Sequence, residues 1–263
     1  MGGRTTVAIA RTLLLAGVMV GALDPHANAD TLIERSAESR FQLDFHVPDA
    51  ALQSALPAGW EPMIATAGPA KDANLRLIFV DRVGITGADG KPIGPGTNRM
   101  AILAIPVKQT ATGITGQMII GGLTEDPADV PGPFGVYQTA TSHRVERSTR
   151  AVSGEPIRNE ETWQFDAAGG EHMELHVAYE RGIARKLSSE VKFFSASDPN
   201  RYQIWKIDQG LDIMRNATIN VADRVKEFQF KAAGGKIAQL LDGTERVVSV
   251  DALPWYNRII SSP

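Results

Sequence analysis

Two histidines and a glutamate recur at every second position of the segment EHMELHVAYE. On a β-strand, His172, Glu174 and His176 project to one side of the sheet, and the apolar residues between them project to the other. Neutral imidazole nitrogens and a carboxylate oxygen are common ligands of zinc and other divalent ions, so the three residues are candidate metal ligands. His143 or His46 would have to supply a further ligand from another strand. The alternative interpretation is the solvated polar face of a half-buried strand.

Three more side chains are candidates for catalysis. His143, in TATSHRVERS, alternates with Thr141 and Val145, and an imidazole titrates near neutral pH, which suits general acid–base catalysis. Arg99 could hold a substrate carboxylate with two parallel hydrogen bonds. Lys108 lies in a β-type run, and removal from water would make its amine reactive if it points inward. The alternative for each residue is an ordinary strand or surface position.

Missing residues and motifs exclude several enzyme classes. The chain has no cysteine, which excludes thiolate nucleophiles, thiolate-bound metals and iron–sulfur clusters. It also lacks a Gly-x-Ser-x-Gly nucleophile elbow, a phosphate loop, a dinucleotide fingerprint and a His-Glu-x-x-His zinc motif. We therefore expect no cofactor.

Strands must position these residues, because β-type runs dominate the chain. SRFQLDFHVP alternates apolar and polar residues and predicts a half-buried strand, and PDAALQSALPAGWEP predicts a short helix that ends at Pro57 and Gly59. Nine further β-type runs follow, separated by turns rich in Gly, Asp, Asn and Pro. This order predicts a mainly β fold, a β-rich α+β chain with one or two short helices. Its antiparallel sheet must curl or close to hide its edges.

The segment FHVPDAALQSALPAGWEP resembles the N-terminal signature of the acetoacetate decarboxylase-like superfamily. In that family a strand leads through Val-Pro into a short helix, which is followed by a Leu-Pro-x-Gly turn and a Glu-Pro pair. In this chain the Val-Pro pair begins at Val47, the turn at Leu56 and the Glu-Pro pair at Glu61. The strands LRLIFVDRVG and MAILAIPVK follow in the family's order. The resemblance implies a cone-like barrel with a ligand pocket inside. It also implies that the chain could form a homo-oligomer.

The resemblance extends to a strand entrance, PGPFGVYQTA, at which decarboxylases of the family carry their Schiff-base lysine pair. Gly135 occupies the glycine position of that motif and Tyr137 stands for its proline, while Gln138 and Thr139 take the places of the lysines. Neither of the last two can form an imine. Decarboxylation through a Schiff base is therefore not expected.

The predicted ligand pocket combines this entrance with residues from neighbouring strands. Its members are Arg99, Gly135, Tyr137, Gln138 and His143.

Residues 1–29 match a secretory signal peptide. Arg4 and Arg11 accompany a short apolar run. Ala27 and Ala29 flank Asn28 in the small-residue pattern that signal peptidase accepts, which predicts cleavage between Ala29 and Asp30. The run is shorter than the roughly 20 residues that span a bilayer. We predict export to the periplasm or medium, no stable membrane insertion after cleavage, and a single domain over 30–263.

Cleavage would change the formal net charge from -3 to -4. This mild acidity, with no basic run, argues against nucleic acid as a partner.

Three hypotheses about function follow. The favoured one is an exported protein that binds a small carboxylated or carbonyl compound in the barrel, or converts it without decarboxylation. The second is a lyase, isomerase or hydrolase that uses His143 with Arg99, or a metal at His172, Glu174 and His176. The third is a structural or interaction module of the envelope whose barrel is filled by its own side chains.

Overall fold

The computed structural model describes residues 30–263, and the predicted signal peptide, residues 1–29, lies outside this part of the chain. Twelve strands and two short helices make up residues 30–263, with a single turn of 3₁₀ helix at Pro127–Asp129. None of the helices in this part of the chain is long and apolar enough to cross a membrane. The prediction of a mainly β chain with one or two short helices is confirmed.

The bounds of the elements are as follows. The strands are β1 (Thr31–His46), β2 (Trp60–Pro62), β3 (Leu75–Gly87), β4 (Asn98–Gln109), β5 (Thr115–Thr124), β6 (Tyr137–Arg150), β7 (Arg158–Ala167), β8 (His172–Glu180), β9 (Arg185–Ser195), β10 (Tyr202–Asn216), β11 (Val225–Ala233) and β12 (Arg246–Ser262). The helices are α1 (Asp49–Ala55) and α2 (Ile237–Leu240).

The first strand and helix form where the sequence pattern predicts them. Phe41, Leu43 and Phe45 of β1 are fully buried, as expected for the apolar face of a strand. Helix α1 ends at Ala55 because Leu56 has an extended backbone, which is the conformation that a residue before proline prefers.

Seven strands close a ring in the order β4, β5, β9, β10, β12, β1 and β3, and β3 pairs with β4 again. Each of these pairings is antiparallel except the one between β5 and β9. A closed ring leaves none of its strands with an unpaired edge along its whole length. The predicted closure of the sheet is therefore present in the structure.

The remaining long strands form an outer sheet in which β6, β7, β8 and β11 pair antiparallel in that order. Strand β6 joins the ring through parallel pairing of Tyr137–Thr139 with Gly122–Thr124 of β5. Strand β9 pairs with the same edge of β5, but closer to the start of β5, at Gln117–Ile119. The sheet therefore forks at β5, and we call this point the sheet fork. The sheet is mainly antiparallel, as predicted, and these two short pairings are its parallel exceptions. The 125–136 connection is long enough to return the chain to the same end of the sheet, as parallel pairing requires.

Two apolar cores result from this arrangement. The ring core fills the inside of the closed ring and consists of Ile78, Val80, Met100, Ile102, Ala104, Ile119, Phe134, Tyr137, Phe193, Trp205, Ile207, Leu211, Leu253, Tyr256 and Ile260. The interlayer core lies between the outer surface of the ring, the outer sheet and the two helices, and it includes Phe41, Leu52, Leu103, Trp163 and Leu240.

Candidate functional site

A cavity of about 690 Å³ lies at the sheet fork, outside the ring. We call it the fork cavity. It is bounded by the wall of β4 and β5, the entrance of β6, the end of β9, both helices and the β7–β8 turn. The lining residues are Ala51, Ser54, Ala55, Leu103, Ile120, Gly121, Gly122, Leu123, Gly135, Val136, Tyr137, Gln138, Glu171, Ala196, Ser197, Gly235, Lys236, Ile237, Gln239 and Leu240. Three of the five predicted pocket residues are among them.

The strand entrance at the cavity is shaped by close packing around Tyr137. A Cβ added to Gly122 would lie 2.7 Å from the Tyr137 ring, and one added to Gly132 would lie 2.2 Å from it. Gly132 also has a φ of 73°, a backbone conformation that other residues rarely adopt. The tyrosine is 4% exposed and belongs to the ring core. Burial, together with the nearby Asp129, raises the pKa of the Tyr137 hydroxyl. The side chain therefore fills space instead of offering a reactive group.

Gln138 and Glu171 form the polar contact of the fork cavity. Nε2 of Gln138 donates a hydrogen bond of 3.1 Å to Oε1 of Glu171. Glu171 is 8% exposed, and within residues 30–263 its second oxygen, Oε2, is buried without a hydrogen-bond donor. Side chains at Gly169 and Gly235 would collide with this carboxylate, since their Cβ atoms would lie 2.4 Å and 2.2 Å from its oxygens. The two glycines thus leave room for the carboxylate in its present position.

The sequence interpretation missed Glu171 and Lys236. A signal was present, because each follows the same tetrapeptide, Ala-Ala-Gly-Gly, in DAAGGE and KAAGGK. Strands β8 and β11 pair antiparallel and bring the two turns to the same end of the outer sheet. A Cβ on Gly234 would lie 2.1 Å from the carbonyl oxygen of Gly170, so the turns are in direct contact. The pairing, which sequence pattern alone does not reveal, makes both residues part of one cavity.

Arg99 and His143 are brought together, but away from the fork cavity. Oε1 of Glu125 accepts hydrogen bonds from the backbone N–H of Arg99 at 3.0 Å and from its Nη1 at 3.1 Å, while Oε2 lies 2.7 Å from Nε2 of His143. Asp81 extends the cluster from Arg99 to Arg147, at 3.3 Å and 2.9 Å. We call these five residues the rim network. The lining of the fork cavity in residues 30–263 includes none of them.

The predicted pocket of five residues therefore divides into two places. Gly135, Tyr137 and Gln138 line the fork cavity, whereas Arg99 and His143 belong to the rim network. The reason is the path of β6: His143 lies six residues beyond Tyr137, which on a strand is a distance of about 20 Å.

The candidate metal ligands share one face of β8, opposite the buried Met173 and Leu175, as predicted for a half-buried strand. Nε2 of His172 lies 3.7 Å from Oε2 of Glu174, but each of the three side chains has a shorter contact with a different neighbour. Nδ1 of His172 lies 2.7 Å from Oδ1 of Asp166, Glu174 pairs with Lys231 at 3.1 Å, and His176 lies 3.2 Å from Oγ1 of Thr162.

Within residues 30–263, no group of three His, Asp or Glu side chains is placed to hold a metal ion. Alternate residues of a strand are about 6 to 7 Å apart. His172 and Glu174 face each other, but His176 lies beside Thr162 and Glu227, so the three side chains do not converge on one point.

Lys108 also lies outside the cavity lining. Its Nζ pairs with Oε1 of Glu61 at 3.2 Å, and its side chain is 46% exposed. Because the side chain is exposed and does not point inward, desolvation does not make its amine reactive.

The inside of the ring carries charged side chains in addition to the ring core. Glu38 contacts Arg40 at 2.5 Å and Arg258 at 2.9 Å, and Arg82 lies 3.5 Å from it. Burial alone would raise the pKa of Glu38, but these three guanidinium groups outweigh it and lower the pKa to about 2. The Arg40 guanidinium lies 3.5 Å from the centre of the Tyr256 ring.

The ring interior is thus occupied largely by the protein's own side chains. A cavity of about 160 Å³ remains at one end of the ring, lined by residues that include Ile78, Asp251 and Tyr256. The fork cavity, by contrast, lies outside the ring. This differs from the pocket inside the barrel that the family resemblance implies.

The closed ring, the forked sheet and the order of the elements define an acetoacetate decarboxylase-like fold, and solved structures confirm it. The enduracididine biosynthesis enzyme MppR, with HEPES buffer bound, superposes with a TM-score of 0.56 at 12% identity over 90% of this chain and 89% of that chain. MppR complexed with pyruvate gives a TM-score of 0.53 at 12% identity, over 90% of this chain and 91% of that chain. Acetoacetate decarboxylase from Legionella pneumophila gives 0.50 at 11% identity, over 95% of this chain and 98% of that chain.

These likenesses show the fold alone, because the sequences are distant. A scan against protein-family models finds no match, and a search of curated proteins finds no similar sequence.

Proposed function

We propose that this protein binds a small organic molecule with a carboxylate or carbonyl group in the fork cavity. The observation that carries the proposal is the cavity itself, which combines an apolar wall with a few polar side chains, as ligand sites do. Gln138, Glu171, Ser197 and Lys236 supply hydrogen-bonding and charged groups. The choice of ligand class is supported by MppR, which has been solved with pyruvate and with the condensation product of pyruvate and imidazole 4-carboxaldehyde.

The proposed function does not include Schiff-base decarboxylation. Gln138 and Thr139 occupy the lysine positions of the strand entrance. Lys236 lines the cavity but is exposed to solvent. An exposed amine lacks the apolar surroundings that make a lysine nucleophilic near neutral pH. The predicted leader, residues 1–29, supports export as the setting in which the protein meets its ligand.

Binding of pyruvate and acetoacetate, measured by isothermal titration calorimetry, tests the proposal. Gly121 lines the fork cavity, and no atom lies within 4 Å of the place where its Cβ would be. Gly121→Leu should therefore fill the cavity without disturbing the strand and lower the affinity roughly tenfold or more. The matched control is Gly87→Leu, a glycine at the end of β3 whose Cβ would make ordinary contacts of 3.5 Å or more. Equal affinities in the wild type and Gly121→Leu would contradict a site in this cavity.

Reduction with borohydride tests the absence of a Schiff base. Treatment of the protein with acetoacetate and borohydride should add no mass, because no buried lysine lines the cavity in residues 30–263. A covalent adduct on any lysine would show that the protein forms the imine after all.

The second candidate is a structural or interaction module of the envelope. The filling of the ring by Glu38, Arg40, Tyr137 and Tyr256 favours this candidate, because it leaves little room for a ligand there. The same titrations separate the two, since a purely structural protein would bind none of the compounds in a way that depends on Gly121.

A further inference from the structure

The fork cavity is much larger than a three-carbon acid requires. Its volume of about 690 Å³ lies in the middle of the range, about 300 to 1,000 Å³, of sites that bind drug-sized molecules. A ligand as small as pyruvate would leave most of the wall in contact with water. Gly121 adds to the free space, because the position of its missing side chain has no neighbour within 4 Å.

The deeper wall of the cavity is apolar and comes from three separate elements. Leu103 and Leu123 of the ring wall and Leu240 of α2 are almost fully buried. Ala51 and Ala55 of α1 pack against the same core. An apolar chain or ring of the ligand that contacts this wall would gain about fourfold in affinity for each methylene removed from water.

The polar side chains of the lining differ in their availability to a ligand. One oxygen of Glu171 already accepts the amide of Gln138, and its other oxygen is buried without a donor among the described residues, so it can only accept a hydrogen bond while ionised. Oγ of Ser197 donates to the carbonyl oxygen of Phe134 at 2.7 Å. Lys236 carries the positive charge of the lining and is exposed. A carboxylate therefore finds its charge partner at the solvent-exposed side of the cavity, with the apolar wall beyond it.

We propose that the fork cavity selects carboxylic acids with an apolar body of about six to ten carbons over three-carbon oxo acids. This proposal rests on the binding function proposed above and names its ligand class. The carboxylate pairs with Lys236 at the exposed side, and the apolar body lies against Leu103, Leu123 and Leu240. Binding is non-covalent, so the site requires no co-reactant.

A series of acids of increasing length tests the proposal by titration calorimetry. Affinity should rise about fourfold per methylene from butanoate through hexanoate to octanoate, which is the value of ~0.8 kcal/mol per methylene, and pyruvate should bind more weakly than octanoate. Gly121→Leu should remove the length dependence, and Gly87→Leu should preserve it. Lys236→Gln should weaken octanoate several-fold and leave 1-octanol unchanged, because only the acid carries a negative charge.

The outcomes that overturn the two proposals differ. An affinity that is independent of length, or highest for pyruvate, but still sensitive to Gly121→Leu overturns the ligand class and leaves the binding function intact. Tighter binding of octylamine than of octanoate overturns the pairing with Lys236 and assigns the polar end to Glu171. If Gly121→Leu changes the affinity of none of these compounds, both proposals are overturned.

Discussion

At the scale of single residues, close packing at the entrance of β6 explains why this chain has a glycine-rich turn there. The ring of Tyr137 lies between Gly122 and Gly132, and any side chain at either glycine would overlap it. The turn therefore has a structural task, which is to seat a large aromatic residue in the ring core. That task is independent of an amine.

A pair of neighbouring glycines tests this packing. Gly122→Ala places a Cβ 2.4 Å from the carbonyl oxygen of Ala101 and 2.7 Å from the Tyr137 ring. We expect a loss of about 1 to 3 kcal/mol in the free energy of unfolding, measured in urea, since overpacking forces neighbours out of position. Gly121→Ala is the matched control, because its Cβ meets no atom within 4 Å. Equal stability of the two variants would show that the strand adjusts without strain.

At the scale of the strands, the sequence pattern identified most of the elements but not β9 (Arg185–Ser195), and only part of the candidate site. The alternation along β1 and β8 predicts which residues are buried, since a strand points successive side chains to opposite faces. It does not predict the partner strands. Glu174 pairs with Lys231, 57 positions away, and the same β8–β11 pairing brings Glu171 and Lys236 to the fork cavity.

Two ion pairs with the same spacing in sequence differ in their exposure to water because only one of them lies inside the closed ring. Glu38 and Arg40 of β1 and Arg144 and Glu146 of β6 each lie two residues apart on one strand. The first pair is enclosed by the ring, and the second is exposed.

Glu38→Gln should destabilise the protein by about 3 to 5 kcal/mol, because it leaves buried guanidinium groups without their charge partner. Glu146→Gln, the exposed counterpart, should leave the free energy of unfolding unchanged within error, because water screens that pair. Guanidinium chloride unfolding of the two variants checks the difference. Similar losses in both would contradict the enclosure of Glu38.

At the scale of the whole molecule, closure of the ring excludes water from acidic groups and couples stability to pH. Burial, together with the charge of Asp44, raises the pKa of Asp251 to about 8, although Ser249 and Arg76 act in the opposite direction. Asp212 adds to the rise. The folded protein therefore holds a proton on Asp251 at neutral pH that the unfolded chain has lost.

Stability should fall as pH rises from about 4 to about 8, because in this window the folded state binds more protons than the unfolded state. Asp251→Asn should remove much of this dependence and raise the melting temperature most at pH 8. Thermal unfolding at pH 5, 6, 7 and 8 measures this dependence, with Asp208→Asn, whose side chain is 41% exposed, as control. Parallel curves for the wild type and Asp251→Asn would assign the pH dependence to other groups, among them Asp129, whose pKa burial raises to about 6.

The sequence by itself determined the class of fold, because period-two alternation and turn residues are local properties that survive without knowledge of partners. It also shows that positions 138 and 139 hold glutamine and threonine, neither of which can form an imine. Its prediction of export remains a prediction.

Only the tertiary structure decided which side chains meet. Pairings between distant strands, at the sheet fork and between β8 and β11, place Gln138, Glu171 and Lys236 at one cavity and separate Arg99 and His143 from it. Such pairings depend on the burial of whole sheets against one another, and no short stretch of sequence contains that information.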